Sequence, residues 1–206
     1  PIEFTKNVGK GRSSMKVVAF NGSPRENGNT NELLSVVRSR LEAAGIEFEQ
    51  IDICKSHPRG CTACCVCKEK QNLKCVITSD PMNEWIAKMS AADGIILASP
   101  VYFSNLTSEM KALIDRAGVV GKTNGNAYRR KVGAAVVAVR RAGGIPTFDA
   151  LNHFFQINQM MVVGSSYWNL GVGRDPGDVK GDEEGIRTMT DLGDNMAWLL
   201  KQVHKD

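Results

Sequence analysis

The chain has 206 residues, 42% hydrophobic and 23% charged, with a formal net charge of +4. That length fits one α/β domain with its own core, and nothing in the composition suggests a second. Residues 1–14, PIEFTKNVGKGRSS, have no apolar period and read as a vector-derived leader. Setting aside Lys6, Lys10, Arg12 and Glu3 leaves about +2, too weak a surplus to argue for a nucleic-acid partner. No run is long and apolar enough to cross a bilayer, and Met15 is not followed by a signal-peptide pattern, so a soluble cytoplasmic protein is expected. Six cysteines would mean disulfides in a small secreted domain, but a chain of this size builds a core without them.

The first strand is expected at residues 15–20, MKVVAF, followed by the polar turn NGSPRENGNT (21–30) and a helix over 30–44. A second strand, EFEQIDI, covers 47–53 and gives way to an irregular, cysteine-bearing stretch over 54–79. Next come a helix over 81–91, the strand GIILAS over 94–99, a helix over 106–118 and an irregular connection over 121–130. The strand VGAAVVAV (132–139), a helix (147–159) and a fifth strand MMVVGSSYW (160–168) follow. An irregular loop over 171–182 leads into a last helix, 183–205. Strands alternate with amphipathic helices, and several strands are apolar throughout, as strands buried on both faces are. The pattern predicts a doubly wound, five-stranded parallel sheet with helices on both faces, spanning residues 15–206.

In such a sheet the first turn after a strand meets a ligand phosphate. Glycines at 22 and 28 let the backbone come close, and free amides at the start of the following helix point at an anion. Ser23, Asn29 and Thr30 add hydroxyl and amide donors, and Arg25 supplies a charged one. The simpler alternative is a polar loop that caps the helix through Asn29 or Thr30. The turn lacks both the P-loop and the dinucleotide-fold glycine spacing, which favours a monophosphate.

Three segments in order, NGSPRENGNT, SPVYFSNLTSEMKALIDR (99–116) and PGDVKGDEEGIRTMTDLGDNMAWLLK, resemble the NADPH-dependent FMN reductase family, flavodoxin-like in fold. The resemblance implies FMN, with its phosphate on Ser23, Arg25, Asn29 and Thr30. It sets the isoalloxazine ring against Pro100, Val101, Tyr102, Phe103 and Ser104. The residues agree: Pro100 fixes the turn, amides at 102–104 can donate to ring heteroatoms, and Tyr102 and Phe103 offer apolar surface. Those two aromatics could equally be core residues at a strand end. A third wall falls on VRRAGG (139–144), including Gly143, whose Arg140 and Arg141 meet the flavin, a nicotinamide cofactor's phosphates or solvent. The resemblance further implies NAD(P)H as hydride donor, a small-molecule acceptor or redox protein, and a homodimer or homotetramer. Residues 121–130, with YRR, are the candidate interface or nicotinamide-side loop.

Five of the six cysteines fall in GCTACCVCKEKQNLKC, where Cys61, Cys64 and Cys67 stand at two-residue gaps and Cys75 follows after seven. Closely spaced thiolates with a fourth nearby suit an iron-sulfur cluster, and the stretch resembles the compact motif of the iron-sulfur flavoproteins. It departs in a longer final gap and in the extra sulfur of Cys65. Three readings stay open: a 4Fe-4S cluster on Cys61, Cys64, Cys67 and Cys75, free or redox-active thiols in a loop over the flavin, or zinc. Cys54 reads as a small buried residue, and His57, His153 and His204 are too scattered for a metal site. The expected activity is hydride transfer from NAD(P)H to FMN and on to a quinone, flavin or similar acceptor, with no catalytic side chain required. The alternative is an electron carrier with a ferredoxin-like partner.

Overall fold

Strand β1 (Lys16–Asn21) reads KVVAFN, and all but its first residue are buried, because both faces of the sheet are covered. Val17 and Ala19 point to one face, Val18 and Phe20 to the other, as the two-residue period of a strand requires. The computed structural model describes residues 14–204. The expected leader, apart from Ser14, lies outside the described residues.

Beyond β1 the elements run α1 (Asn29–Ala43), β2 (Glu47–Asp52), α2 (Val66–Lys70), α3 (Met82–Ala91), β3 (Gly94–Pro100) and α4 (Ser108–Thr123). They continue with β4 (Val132–Val139), α5 (Gly144–Ile157), β5 (Met161–Val162), β6 (Leu170–Val172) and α6 (Glu183–Val203). The strand order is β2-β1-β3-β4-β5, with β6 also on β4, and every pairing is parallel. Helices α1 and α6 cover one face through Leu33, Val37, Leu41, Met189, Leu192 and Met196. Helices α3, α4 and α5 cover the other through Trp85, Ile86, Met110, Leu113, Phe154 and Phe155. Each fully buried side chain of this kind contributes roughly 1.5–3 kcal/mol of transfer free energy. The chain order reverses between β1 and β3, so the crevice beyond their carboxyl ends is where a ligand is expected.

The fifth strand differs from expectation. Only Met161 and Val162 pair with the start of β4; the chain then leaves the edge and returns at Leu170 to pair with its end. Turn chemistry explains the break: Ser165 Oγ donates to the Tyr167 carbonyl at 2.7 Å and contacts Asn169 Oδ1 at 2.6 Å. Asn169 stands in for a strand, its side-chain amide donating to Ala135 O at 3.0 Å while its carbonyl accepts from the Val137 amide. Local side-chain bonding of this type outcompetes a ladder. Tyr167 and Trp168 are left on the surface.

Candidate functional site

The turn after β1 is held in shape by its own polar groups. Asn21 Oδ1 accepts from the Ser23 amide at 3.0 Å, and the Asn21 side chain donates to Asp52 at the end of β2. Ser23 Oγ accepts from the Arg25 amide and donates to the Arg25 carbonyl. From below, Thr107 Oγ1 donates to the Gly22 carbonyl at 2.9 Å and the Cys54 thiol donates to it at 3.2 Å. Burial first, then the nearby Glu109 and Asp52 carboxylates, push the Cys54 thiol up to about 12, so it stays protonated. Cys54 is therefore the buried residue the sequence suggested.

Helix α1 begins at Asn29 behind Gly28, which offers no side-chain cap. The capping alternative for Asn29 or Thr30 thus fails, and the first amides of α1 face the turn as an anion site. A Cβ at Gly28 would lie 3.0 Å from Arg25 Cβ and 3.1 Å from Ser23 Oγ, so the closeness of this cradle depends on glycine. Asn29 lines the cleft and has a further task. Its side chain donates to Asp175 O and accepts from the Gly177 and Val179 amides, leaving its backbone amide for a phosphate. That tie draws in the 173–179 turn, so Gly173 and Arg174 line the same cleft as Ser23, Arg25, Thr30 and Arg140. Sequence reading missed Arg174 because only the pairing of Asn29 with a distant, irregular loop brings it there.

After β3, Tyr102 and Asn105 exchange backbone hydrogen bonds across a tight turn whose tip residues Phe103 and Ser104 have φ of 46° and 62°. The Tyr102 amide is therefore committed to Asn105, and of the amides expected to face a ring only those of Phe103 and Ser104 remain at the tip. Neither aromatic is in the core: Tyr102 is half exposed and Phe103 fully so. Pro100, Val101 and Tyr102 join the cleft wall, which encloses about 180 Å³. Gly143 closes the third side at φ 84°, and a Cβ there would lie 2.8 Å from Ser104 Cα and from Val101 Cγ1. Only glycine lets the loop after β4 pack so near the turn after β3.

The 121–130 connection does not border the cleft, as a nicotinamide-side loop would. It precedes β4, at the amino ends of the strands and opposite the cleft at their carboxyl ends, and Tyr128 is fully buried against Phe154 at 5.9 Å between ring centroids.

The cysteine loop lies along α4 rather than over the cleft. Arg116, fully buried in the middle of α4, pairs with Asp80 and donates to the Arg59 and Ile77 carbonyls. Its Nε reaches Cys75 Sγ at 3.4 Å. Farther down, Asn124 donates to Cys67 O and accepts from the Leu73 amide. A helix the length of α4 spans about 24 Å, so this end of the loop is that far from the turn at Tyr102. Cys61, Cys64 and Cys65 are exposed and Cys67 and Cys75 half-buried. The four expected ligands are not brought together: among the described residues, no three His, Cys, Asp or Glu side chains are gathered to hold a metal ion. The physical reason is local. The Cys61 sulfur turns to its own Ala63 amide, Cys67 rides on α2, and Cys75 is held at Arg116.

Residues 15–175 match the family described as NADPH-dependent FMN reductase. The chain belongs to that family. An iron-sulfur flavoprotein of Methanocaldococcus jannaschii is 39% identical over 198 residues, covering 93% of this chain and 100% of that protein. One from Methanosarcina thermophila is 31% identical over 194 residues, covering 93% and 98%. In fold the chain is similar to a WrbA-like flavodoxin from Agrobacterium tumefaciens, with a TM-score of 0.64, 18% identity, and 94% and 100% of the two chains covered. The apo form of an NADH:FMN oxidoreductase gives 0.61 at 16% identity, over 94% of this chain and 92% of that one.

Membership makes the protein a flavoprotein oxidoreductase with a flavodoxin-like fold, and FMN is tested by the cleft itself. It fits: a glycine-dependent cradle at a helix start suits a phosphate, Arg25 and Arg174 supply cations, and the turns at Tyr102 and Gly143 form walls for a ring. An iron-sulfur cluster suits the four thiols in donor chemistry but not in their arrangement. Among the described residues no helix is long and apolar enough to cross a membrane.

Proposed function

We propose that this chain is an FMN-dependent oxidoreductase that takes a hydride from NAD(P)H and reduces a quinone, flavin or similar acceptor. One observation carries the reading: the turns after β1, β3 and β4, expected separately to hold phosphate and ring, line one cleft at the switch point of the sheet. FMN held there would supply the redox chemistry, taking up the hydride and passing its electrons to the acceptor. The protein's part is positional. The amides of Asn29 and Thr30, with Arg25 and Arg174, bind the phosphate, and the amides of Phe103 and Ser104 orient the ring. The half-exposed Tyr102 leaves one side open to a donor. The test is anaerobic mixing of the FMN-loaded protein with NADH or NADPH while the visible flavin band is followed. Bleaching by either is expected. A flavin that dithionite reduces and neither nucleotide does overturns the reading, and failure of apo protein to bind FMN overturns its foundation.

A second reading is favoured more by the relatives than by the geometry. The names of the two relatives above, with the spacing of Cys61, Cys64, Cys67 and Cys75, support an iron-sulfur electron carrier serving a redox-protein partner. Its test is iron and acid-labile sulfide on anaerobically prepared protein, where about four irons per chain are expected and their absence ends it. A homodimer or homotetramer is the proposed assembly, and sedimentation checks it.

A further inference from the structure

A larger hollow than the flavin cleft opens where the chain leaves the edge of the sheet. It encloses about 740 Å³ between α5 and the 163–169 excursion and shares no residue with the flavin cleft. That volume is in the range of small-molecule sites. One wall is aromatic: Trp168 lies 6.1 Å from the Phe148 ring and 6.2 Å from the Tyr167 ring, centroid to centroid. Tyr167 and Trp168 are 61% and 54% exposed, a grouped aromatic surface of the kind that marks binding sites. The other wall is the outer face of α5, where Asp149, Asn152 and Gln156 follow one another at helical spacing. Asn152 is only 8% exposed, yet its side-chain oxygen meets no hydrogen-bond donor among the described residues. Asp149 forms no ion pair among them either.

The position of this cleft limits what it can serve. Helix α5 springs from the Arg140–Gly143 loop that walls the flavin cleft, and Phe148 lies about 6 Å beyond the helix start. Arg140 lines the flavin cleft, Arg141 is exposed beside it, and neither is ion-paired among the described residues. The loop that carries both arginines thus walls the flavin cleft and leads directly into the helix that walls the second hollow.

We propose that the aromatic cleft binds the adenosine half of a nicotinamide dinucleotide whose other half reaches the flavin. This rests on the hydride-donor reading above. The adenine lies against Trp168 and Phe148, the side-chain amides of Asn152 and Gln156 meet its edge, and the pyrophosphate passes Arg140 and Arg141. Asp149 accepts from the ribose hydroxyls, and a carboxylate there repels a 2′-phosphate, which favours NADH over NADPH.

Calorimetric titration of the FMN-loaded protein with ADP-ribose, which lacks the nicotinamide, tests the cleft apart from any reaction. Binding is expected, weakened at least tenfold in Trp168→Ala, whose exposed side chain leaves the core intact, and at least tenfold weaker for 2′-phosphorylated ADP-ribose. In turnover, Trp168→Ala should raise KM for NADH about tenfold at unchanged kcat and leave KM for reduced nicotinamide mononucleotide unchanged. Absent binding, or equal binding to the variant, overturns the proposal. Equal affinity for the two ADP-riboses overturns the role of Asp149. If Trp168→Ala instead disperses an oligomer and ADP-ribose does not bind, the cleft is an interface between copies and the proposal falls. ADP-ribose binding without flavin reduction by NADH supports the cleft and refutes the donor reading, so the two fail separately.

Discussion

The phosphate turn at Asn21–Thr30 and the cysteine loop at Cys61–Cys75 are both short, polar and rich in special residues, but they differ in what their bracing achieves. The phosphate turn is braced from within, by Asn21 and Ser23, and from beneath, by Thr107 and Cys54. Its geometry therefore exists before any ligand arrives, which lowers the ordering cost of binding. The cysteine loop makes short-range turns of its own, the Cys65 carbonyl accepting from the Lys68 amide and Cys61 Sγ from the Ala63 amide, but it is fastened to the rest of the fold by Arg116, Asn83 and Asn124. Inside it, Ala63, Cys65, Gln71 and Leu73 hold positive φ, a conformation ordinary residues seldom adopt. One region is complete as folded; the other is an anchored frame whose sulfurs do not meet.

The largest way to break that contrast is at the anchor. Arg116→Met leaves Asp80 buried beside no cation, and a loss of about 3–5 kcal/mol is expected in urea denaturation, with the cysteine loop becoming protease-sensitive while FMN still binds. Burial alone would lift the Asp80 carboxyl, but hydrogen bonds from Arg116 and from the Arg59 and Met82 amides outweigh it and hold it below its ordinary range. Because its folded value is depressed, the stability it contributes is complete above the unfolded value, about pH 4, and drains away as pH falls towards the folded one. Wild type should therefore lose stability below pH 4 more steeply than Asp80→Asn.

A smaller effect is expected where the cradle meets its third wall. Gly143→Ala forces a side chain into φ 84° and to 2.8 Å from Ser104 Cα, costing about 1–3 kcal/mol. Thermal denaturation and FMN titration should both register it, since the turn after β3 has to move. Ser23→Ala removes one internal brace and should weaken FMN by about fivefold, near 1 kcal/mol, with little change in melting temperature. An unchanged affinity would mean that the turn keeps its shape without Ser23.

The gentlest probe is alkylation of metal-free protein at pH 8. The exposed Cys61, Cys64 and Cys65 should label quickly. Cys54, with its thiol pushed up to about 12 and hydrogen-bonded under Gly22, carries about one thiolate in ten thousand at that pH and should label only on unfolding. Mass spectrometry of the labelled peptides reads both. Fast labelling of Cys54 would show that the phosphate turn opens in solution.

Much of the cleft was legible in sequence because its determinants are local. Ser23, Arg25 and Thr30 sit in the turn that a strand, a glycine pair and a helix start define within ten residues. Pro100 to Ser104 and Gly143 were reached the same way, each at the end of an apolar strand, with the family resemblance supplying their roles. The second task of Asn29, tying down the 173–179 turn, was out of reach, since its partners Asp175, Gly177 and Val179 lie about 150 residues away. Arg174 was invisible for the same reason. Residues 121–130 read as a candidate interface or nicotinamide-side loop, and only the packing of α5 made Tyr128 within them part of the core.

By itself the sequence determined the alternation of strand and helix, the two-faced core and the glycine-bearing turn at the start of α1. Those follow from periodicity and turn chemistry acting over a few residues. Tertiary structure alone decided that the edge strand breaks at Val163, that the cysteines lie along α4 away from the cleft, and that a second cleft opens beside α5. Each of these depends on groups far apart in the chain, such as Asn169 with Ala135 or Arg116 with Cys75, whose meeting is energetically fixed only once the sheet and its helices have packed.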